Sequence, residues 1–396
     1  MTGRSPATTP HAPIRLGIVG LGLAGGVMAS TVATHPAFVI GAGVDTDEDV
    51  RAQFSLAHRV PTFGSLEAML ASDTVDTVYI ATPHRFHREQ AVQAAMRGRH
   101  VLVEKPMALS LDDCDAMIDA ARDGGVVLLV GHTHGFNPAL QVMRDEMAGA
   151  LGPAASVVLL NYTDFLYRPR HPQDLDTTLG GGIIFNQLPH QIEIARALIP
   201  SPLRSVRAVT TSLDPARPTA GGCNALLVFE NGASATLVYS GYDGFDSDEL
   251  HGWISEGGHR KAPAHGNSRR ALAGLSNDDE SRARRALYAC GSTTTSARPV
   301  HQPHFGLLLV TCANGDMRCN ADGVVTYTQA GAREIPVPST PWRAGRGDVL
   351  EVFRQAIAGA PQPRHDGLSG RATLQACLAV LRSARDGREI DVGDCR

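Results

Sequence analysis

The chain is short of lysine. Of its 36 basic residues, only Lys105 and Lys261 are lysines, and arginine supplies the rest. Arginine keeps its proton, whereas a lysine amine shifts its pKa readily on burial, so a tunable amine has two places to sit. The seven cysteines are odd in number and contain no Cys-x-x-Cys pair. They exclude a disulfide framework and a structural zinc site and fit a reducing, cytoplasmic setting. No apolar run has the length of a membrane span, and residues 1–13 lack the apolar stretch of a secretory signal and read as a disordered leader. An excess of one charge is also missing: 36 basic against 40 acidic residues leave a net charge of −4. That balance provides no field for nucleic acid or an anionic membrane. What remains is a globular chain of 396 residues, 43% apolar, long enough for two domains and suited to small-molecule chemistry.

The run from Arg15 begins as an apolar strand and enters Gly20-x-Gly22-x-x-Gly25, followed by a helical pattern. In that context the glycines form a dinucleotide fingerprint: a tight turn at Gly20, backbone approach to a pyrophosphate at Gly22 through Ala24, and close helix packing at Gly25. The next apolar run, Phe38 to Val44, ends at Asp45, placed to accept from the adenosine ribose hydroxyls and to repel a 2′-phosphate. NAD is therefore expected over NADP. Strand and helix signals then alternate, with strands at Val75–Ala81, His100–Val103 and Val126–Val130 and helices at Arg85–Arg97 and after Ser110. This alternation predicts an α/β fold with a doubly wound parallel sheet over residues 14–131, in which Thr82-Pro83-His84 and Glu104-Lys105-Pro106 end strands on the edge of the glycine loop.

After Gly131 the pattern turns antiparallel, with strands at Ser156–Leu160, Ser205–Thr211, Ala225–Glu230, Ala233–Ser240, Phe305–Cys312 and Gly323–Tyr327, and a hairpin turn at Asn231-Gly232. A second, α+β domain over residues 132–396 with a mainly antiparallel open sheet follows, for substrate binding and oligomerisation. One helix is expected over Ile183–Ile199, a loop insertion over 256–303, and closing helices over 344–396, the last capped by Ser369.

Lys105 and His190 are the candidate catalytic pair, one to take a hydroxyl proton and one to hold the oxygen. Asn186, one turn before His190, is expected on the same face. Gly180-Gly181-Gly182 should let backbone approach a ligand. His132 and His134 stand at the domain junction, and neither has the flanking carboxylate of a familiar metal pattern, so no metal is expected. Arg168, Arg170 and His171 read either as ordinary loop charges or, for an acidic substrate, as partners of its carboxylate through the planar guanidinium fork.

Together, Gly20-x-Gly22-x-x-Gly25, Ala81-Thr-Pro83 with His87, Glu104-Lys-Pro106, and Gly180-Gly-Gly182 running to His190 and Glu193 resemble the Gfo/Idh/MocA oxidoreductase family. The resemblance covers the chain from Ile14. It implies a Rossmann domain holding NAD(P), with Leu23, Ala24, Thr82, Pro83, His87, Glu104 and Lys105 around the cofactor. It also implies that Lys105 exchanges a proton with the reacting oxygen and that His190 does acid–base work. Asn186 stands where many members have an acid, Gly135 where many have arginine, and His84 where many sugar-oxidising members have asparagine. Within the family, Asp164–His171, Tyr239–Asp248 and Pro303–Asp316 resemble phthalate 4,5-cis-dihydrodiol dehydrogenases. A small-molecule diol substrate and a homo-oligomer are the expected partners. The alternatives are a sugar or inositol dehydrogenase, and a hydrolase or lyase that uses bound NAD for transient oxidation.

Overall fold

The computed structural model describes residues 12–170, 172–288, 300–338, 346–361 and 364–395. Most of the expected leader, His171 and residues 289–299 of the expected insertion lie outside them. The first sheet comprises β1 (Ile14–Val19), β2 (Phe38–Val44), β3 (Thr62–Phe63), β4 (Thr77–Ile80), β5 (His100–Val103) and β6 (Leu128–Val130), in the order β3-β2-β1-β4-β5-β6. Every pairing is parallel. This is the doubly wound order, whose reversal between β1 and β4 opens a crevice at the strands' carboxyl ends. Its strands are mainly apolar because helices cover both faces, and β4 is buried at all four positions. The helix after β5 starts as expected, with Ser110 Oγ accepting from the Asp113 N–H at 3.2 Å.

The second sheet is built from β7 (Ala154–Tyr162), β8 (Leu203–Thr211), β9 (Gly222–Phe229), β10 (Ser234–Ser240), β11 (Leu307–Cys312), β12 (Gly315–Asn320), β13 (Gly323–Thr328), β14 (Gly331–Pro336) and β15 (Ile390–Asp391). Its order is β14-β13-β12-β11-β7-β10-β9-β8-β15, with only β7 and β10 parallel among its pairs. One face is packed and the other is open, so burial alternates along β9 and β10. The closing helices bind the two sheets together. Val349, Leu350 and Phe353 of helix Gly347–Ile357 return to the first sheet, where Phe353 stacks on Phe38 at 6.4 Å. Burying a ring of that kind contributes about 1.5–3 kcal/mol.

Three expectations change here. The expected helix Ile183–Ile199 is two helices, Gly182–Asn186 and Leu188–Leu198, broken at Gln187. Pro189 in the first turn of the second helix has no N–H to continue a ladder and clashes with the carbonyl four residues back. The last helix begins at Gly367, and its cap is Asp366, which accepts from the Ser369 N–H at 2.8 Å. The expected loop insertion contains helices Asn267–Leu272 and Asn277–Tyr288. The second carries little apolar periodicity because ion pairs hold it: Arg217 to Glu280 at 2.7 Å and Arg284 to Asp174 at 3.0 Å.

Candidate active site

The glycine loop has the geometry of a phosphate cradle. Gly20 has φ +90°, and a Cβ there would stand 2.7 Å from the Ala81 carbonyl oxygen. At Gly25 a Cβ would meet the Gly20 carbonyl oxygen at 2.1 Å, so the helix can lie on the loop only with glycine there. Gly22 faces open space, and as the N-cap of helix Leu23–Val32 it supplies no side-chain cap. Free N–H groups and the positive end of the helix dipole therefore point outward beside exposed Leu23 and half-buried Ala24, an arrangement that fits a pyrophosphate. Asp45 holds this loop in place: its carboxylate accepts from the Leu21 N–H at 2.9 Å and the Asp47 N–H at 3.0 Å.

Two strand ends converge beside the loop. Thr82 Oγ1 donates to Gln90 Oε1 at 2.6 Å, and the Thr82 carbonyl lies 2.8 Å from His87 Nε2. The other nitrogen of His87 faces the Pro106 and Met107 carbonyls at 3.2 and 3.3 Å. His87 is fully buried, so it clamps the segment at Thr82-Pro83 to the segment after Lys105 and has no surface left for a ligand. Glu104 is buried as well. It accepts from the Tyr79 hydroxyl and from Arg346 Nη2, the latter at 2.6 Å. Both partners are side chains of the protein, so together they hold the strand end in place.

Lys105 follows Glu104 and precedes a cis peptide bond to Pro106. Its ammonium donates to the Asn186 backbone carbonyl at 2.7 Å. Burial pushes Lys105 down to about 8, opposed by Glu104 and reinforced by Arg346 and Arg170. The Asn186 side chain turns away and donates to the Gly180 and Gly182 carbonyls at 2.9 and 2.8 Å. The break at Gln187 separates it from His190, so the shared helical face does not form, and Asn186 reaches Lys105 through its backbone instead. The glycine run approaches protein: a Cβ on Gly180 would meet His84 Nδ1 at 2.7 Å, and one on Gly182 would meet Thr219 Oγ1 at 2.2 Å.

His190 is buried against His134 and Phe305, with ring centroids 4.6 and 4.9 Å away. Burial, followed by the charge of Lys105, holds its imidazole well below the ordinary range, so it is neutral. His134 shares this wall and is pushed down to about 4 by burial. His132 lies deeper, 6.3 Å from the His365 ring, and both its nitrogens are buried without a hydrogen bond in the structure. With 1% of its surface exposed, His132 has little left to offer a ligand. His365 in turn pairs with Glu193 at 3.0 Å, and Thr373 and Arg196 hold the other carboxylate oxygen of Glu193 at 2.8 and 3.3 Å.

Arg168 Nε donates to Asp164 at 2.7 Å, so part of its fork is taken. Arg170 lies over the Phe165 ring at 4.0 Å and donates to the Phe165 carbonyl at 2.7 Å, within electrostatic reach of Lys105. Arg346, Tyr79, Phe305 and Glu256 were not assigned roles from the sequence. The charge of Glu256 is felt at Lys105, His134 and Arg168. For Arg346 a signal did exist, since Glu104 at the end of a wholly apolar strand requires a counter-charge from elsewhere.

The chain matches two family models: the oxidoreductase family with an NAD-binding Rossmann fold over residues 14–132, and the GFO/IDH/MocA C-terminal domain over residues 141–252. It is 34% identical over 389 residues to the 1-carboxy-3-chloro-3,4-dihydroxycyclohexa-1,5-diene dehydrogenase of Comamonas testosteroni, covering 94% of this chain and 95% of that one. A solved Bordetella bronchiseptica RB50 structure, described as a dehydrogenase, superposes with a TM-score of 0.91 at 44% identity, over 96% of this chain and 100% of that one. An Agrobacterium radiobacter oxidoreductase in complex with NAD+, L-tartaric acid and magnesium shares the fold at 18% identity, with a TM-score of 0.72 over 96% of this chain and 99% of that one. With its parallel sheet, glycine loop and lysine-bearing strand end in one crevice, the chain belongs to the GFO/IDH/MocA family of oxidoreductases.

Proposed function

We propose that this oxidoreductase is an NAD-dependent dehydrogenase that oxidises one carbinol of a carboxylated cyclic cis-diol, of the phthalate 4,5-cis-dihydrodiol type, towards a catechol. The observation that carries the reading is Lys105, a buried amine held by the Asn186 carbonyl at 2.7 Å just before the helix of His190, with its pKa lowered to about 8 and its charge felt at His190 and His134. When bound along that loop, the nicotinamide supplies the hydride acceptor. Lys105 in its neutral form takes the hydroxyl proton, because its pKa lies nearest working pH. His190 is too weak a base for that step and holds the reacting oxygen. Loss of one hydride and one proton from the CH–OH leaves a ketone whose tautomerisation gives the aromatic ring.

The Asp45 carboxylate keeps lone pairs free for ribose hydroxyls while repelling a 2′-phosphate, which supports NAD over NADP. Arg170, with the unclaimed part of the Arg168 fork, supplies positive charge for a substrate carboxylate. The name of the Comamonas testosteroni relative, a dehydrogenase of a carboxylated dihydroxycyclohexadiene, supports the same class. A homo-oligomer belongs to the reading as well, since the open face of the second sheet exposes Val209, Leu226 and Leu309. The test compares NADH formation from a carboxylated cis-dihydrodiol with that from a panel of sugars and inositols. Turnover of the diol with stoichiometric NADH is expected, and activity confined to the sugars would sink the diol reading. Product formed without net NADH would favour transient oxidation by a retained cofactor.

A further inference from the structure

A vicinal diol brings two hydroxyls into the site, and only one of them reacts. The second must also leave water, and each hydroxyl has one proton to donate. Around Lys105 donors are abundant: the amine itself, Arg168 and Arg170. Charged acceptors are fewer, because most of the carboxylates around it already have partners of their own. Glu104 takes Tyr79 and Arg346. Asp164 takes Arg168 on one oxygen at 2.7 Å and Ser268 on the other at 2.6 Å. Glu193 takes His365 on one and Thr373 with Arg196 on the other. Asp246 and Asp248 share Lys261 at 2.5 Å each.

Glu256 differs. Among the described residues its carboxylate has one hydrogen bond, from Asn161 Nδ2 to Oε1 at 3.1 Å. It is half-buried in the wall of a cavity of about 360 Å³ that Arg168, Thr163 and Asp164 also line. Its position is built rather than incidental. The His304 N–H donates to the Glu256 carbonyl at 3.1 Å, and Ser255 pairs with His259 at 2.8 Å to close the turn beneath it. Asn161, at the end of β7, is fully buried with its Oδ1 held 2.9 Å from Ser247 Oγ. Its amide group must therefore present N–H to Glu256, which fixes one oxygen and leaves the other for a ligand.

Building on the diol reading above, we propose that Glu256 is a specificity-determining residue that accepts the hydrogen bond of the substrate's non-reacting hydroxyl. The segment that begins at Glu256 thereby contributes to the site.

The test is a substrate-by-variant comparison. Wild type, Glu256→Gln and Glu256→Ala are assayed with a carboxylated cyclohexene cis-diol and with its deoxy analogue lacking the second hydroxyl, and NAD affinity is titrated for each protein. A hydrogen bond to a charged acceptor corresponds to roughly a 10- to 100-fold loss in kcat/KM for the diol in both variants. The deoxy analogue should change by less than about threefold, with NAD affinity unchanged. If the wild-type preference for the diol survives in both variants, or if both substrates lose equally, Glu256 does not read the second hydroxyl. If wild type turns over neither compound, the diol reading itself fails.

Discussion

The ammonium of Lys105, at the end of the fifth strand of the first sheet, donates to the backbone carbonyl of Asn186, 81 positions further on, at 2.7 Å. The bond fixes the amine, and burial brings it down to about 8. Below that value the ammonium form dominates and cannot take a proton. The rate of alcohol oxidation should therefore rise about tenfold per pH unit up to about 8 and level off above it. Lys105→Met should lose roughly 10²- to 10⁴-fold in kcat and abolish this pH dependence while NAD affinity stays the same. Steady-state kinetics from pH 6 to pH 10 check both. A Met variant that keeps the wild-type pH profile would remove Lys105 from the proton step.

Gly22 and Gly25 separate folding from cofactor binding. A Cβ at Gly25 collides with the Gly20 carbonyl oxygen at 2.1 Å, whereas one at Gly22 meets nothing within 4 Å. Gly25→Ala should lower both Tm and NAD affinity. Gly22→Ala should leave Tm unchanged and weaken NAD by about tenfold or more, equivalent to about 1.4 kcal/mol. Thermal melts and nucleotide fluorescence titrations read the two effects. An unchanged affinity in Gly22→Ala would argue against pyrophosphate at this loop.

Glu104 and Arg346 form a buried pair at 2.6 Å, with Tyr79 completing it. Arg346→Met leaves the carboxylate without its counter-charge. It should cost about 3–5 kcal/mol of stability, because a buried unpaired charge is far more costly than a missing pair. Glu104→Gln introduced into that variant should recover part of the loss. Urea unfolding of the single and double variants measures the coupling, and additive effects would contradict it.

Burial holds His132 and His134 at about 4, below the ordinary histidine value of 6.5. Between these values the unfolded chain binds protons that the folded chain refuses. Stability is therefore fully present above about 6.5 and falls as pH drops towards 4, by up to about 1.4 kcal/mol per histidine per pH unit. His132→Asn should flatten this acid slope. Denaturation midpoints from pH 4.5 to pH 7.5 test it, and a slope identical to wild type would mean that His132 does not contribute.

Local order made much of the fold legible. The glycine loop, the alternating strands and helices of the first sheet, and the hairpin at Asn231-Gly232 depend on neighbours within a few residues, and periodicity reports those directly. Helix breaks were legible only in part. Pro189 was visible, yet the break at Gln187 also depends on the Asn186 side chain turning to the Gly180 and Gly182 carbonyls. Helix Asn277–Tyr288 was hidden because its stability comes from ion pairs to Asp174 and Arg217 rather than from an apolar stripe.

By itself the sequence determined the elements that need only neighbours: a dinucleotide loop at Gly20 to Gly25, a strand that ends at Glu104-Lys105, and a helical segment that carries His190. The tertiary structure alone decided which groups those residues meet. Lys105 finds its acceptor 81 positions away, and Glu104 its counter-charge 242 positions away. It also turned His87 into a clamp and set Glu256 with Arg168 on the wall of one cavity. Periodicity records which side of an element is apolar. Where two distant polar groups meet depends on how whole sheets and helices pack, and no local pattern encodes that.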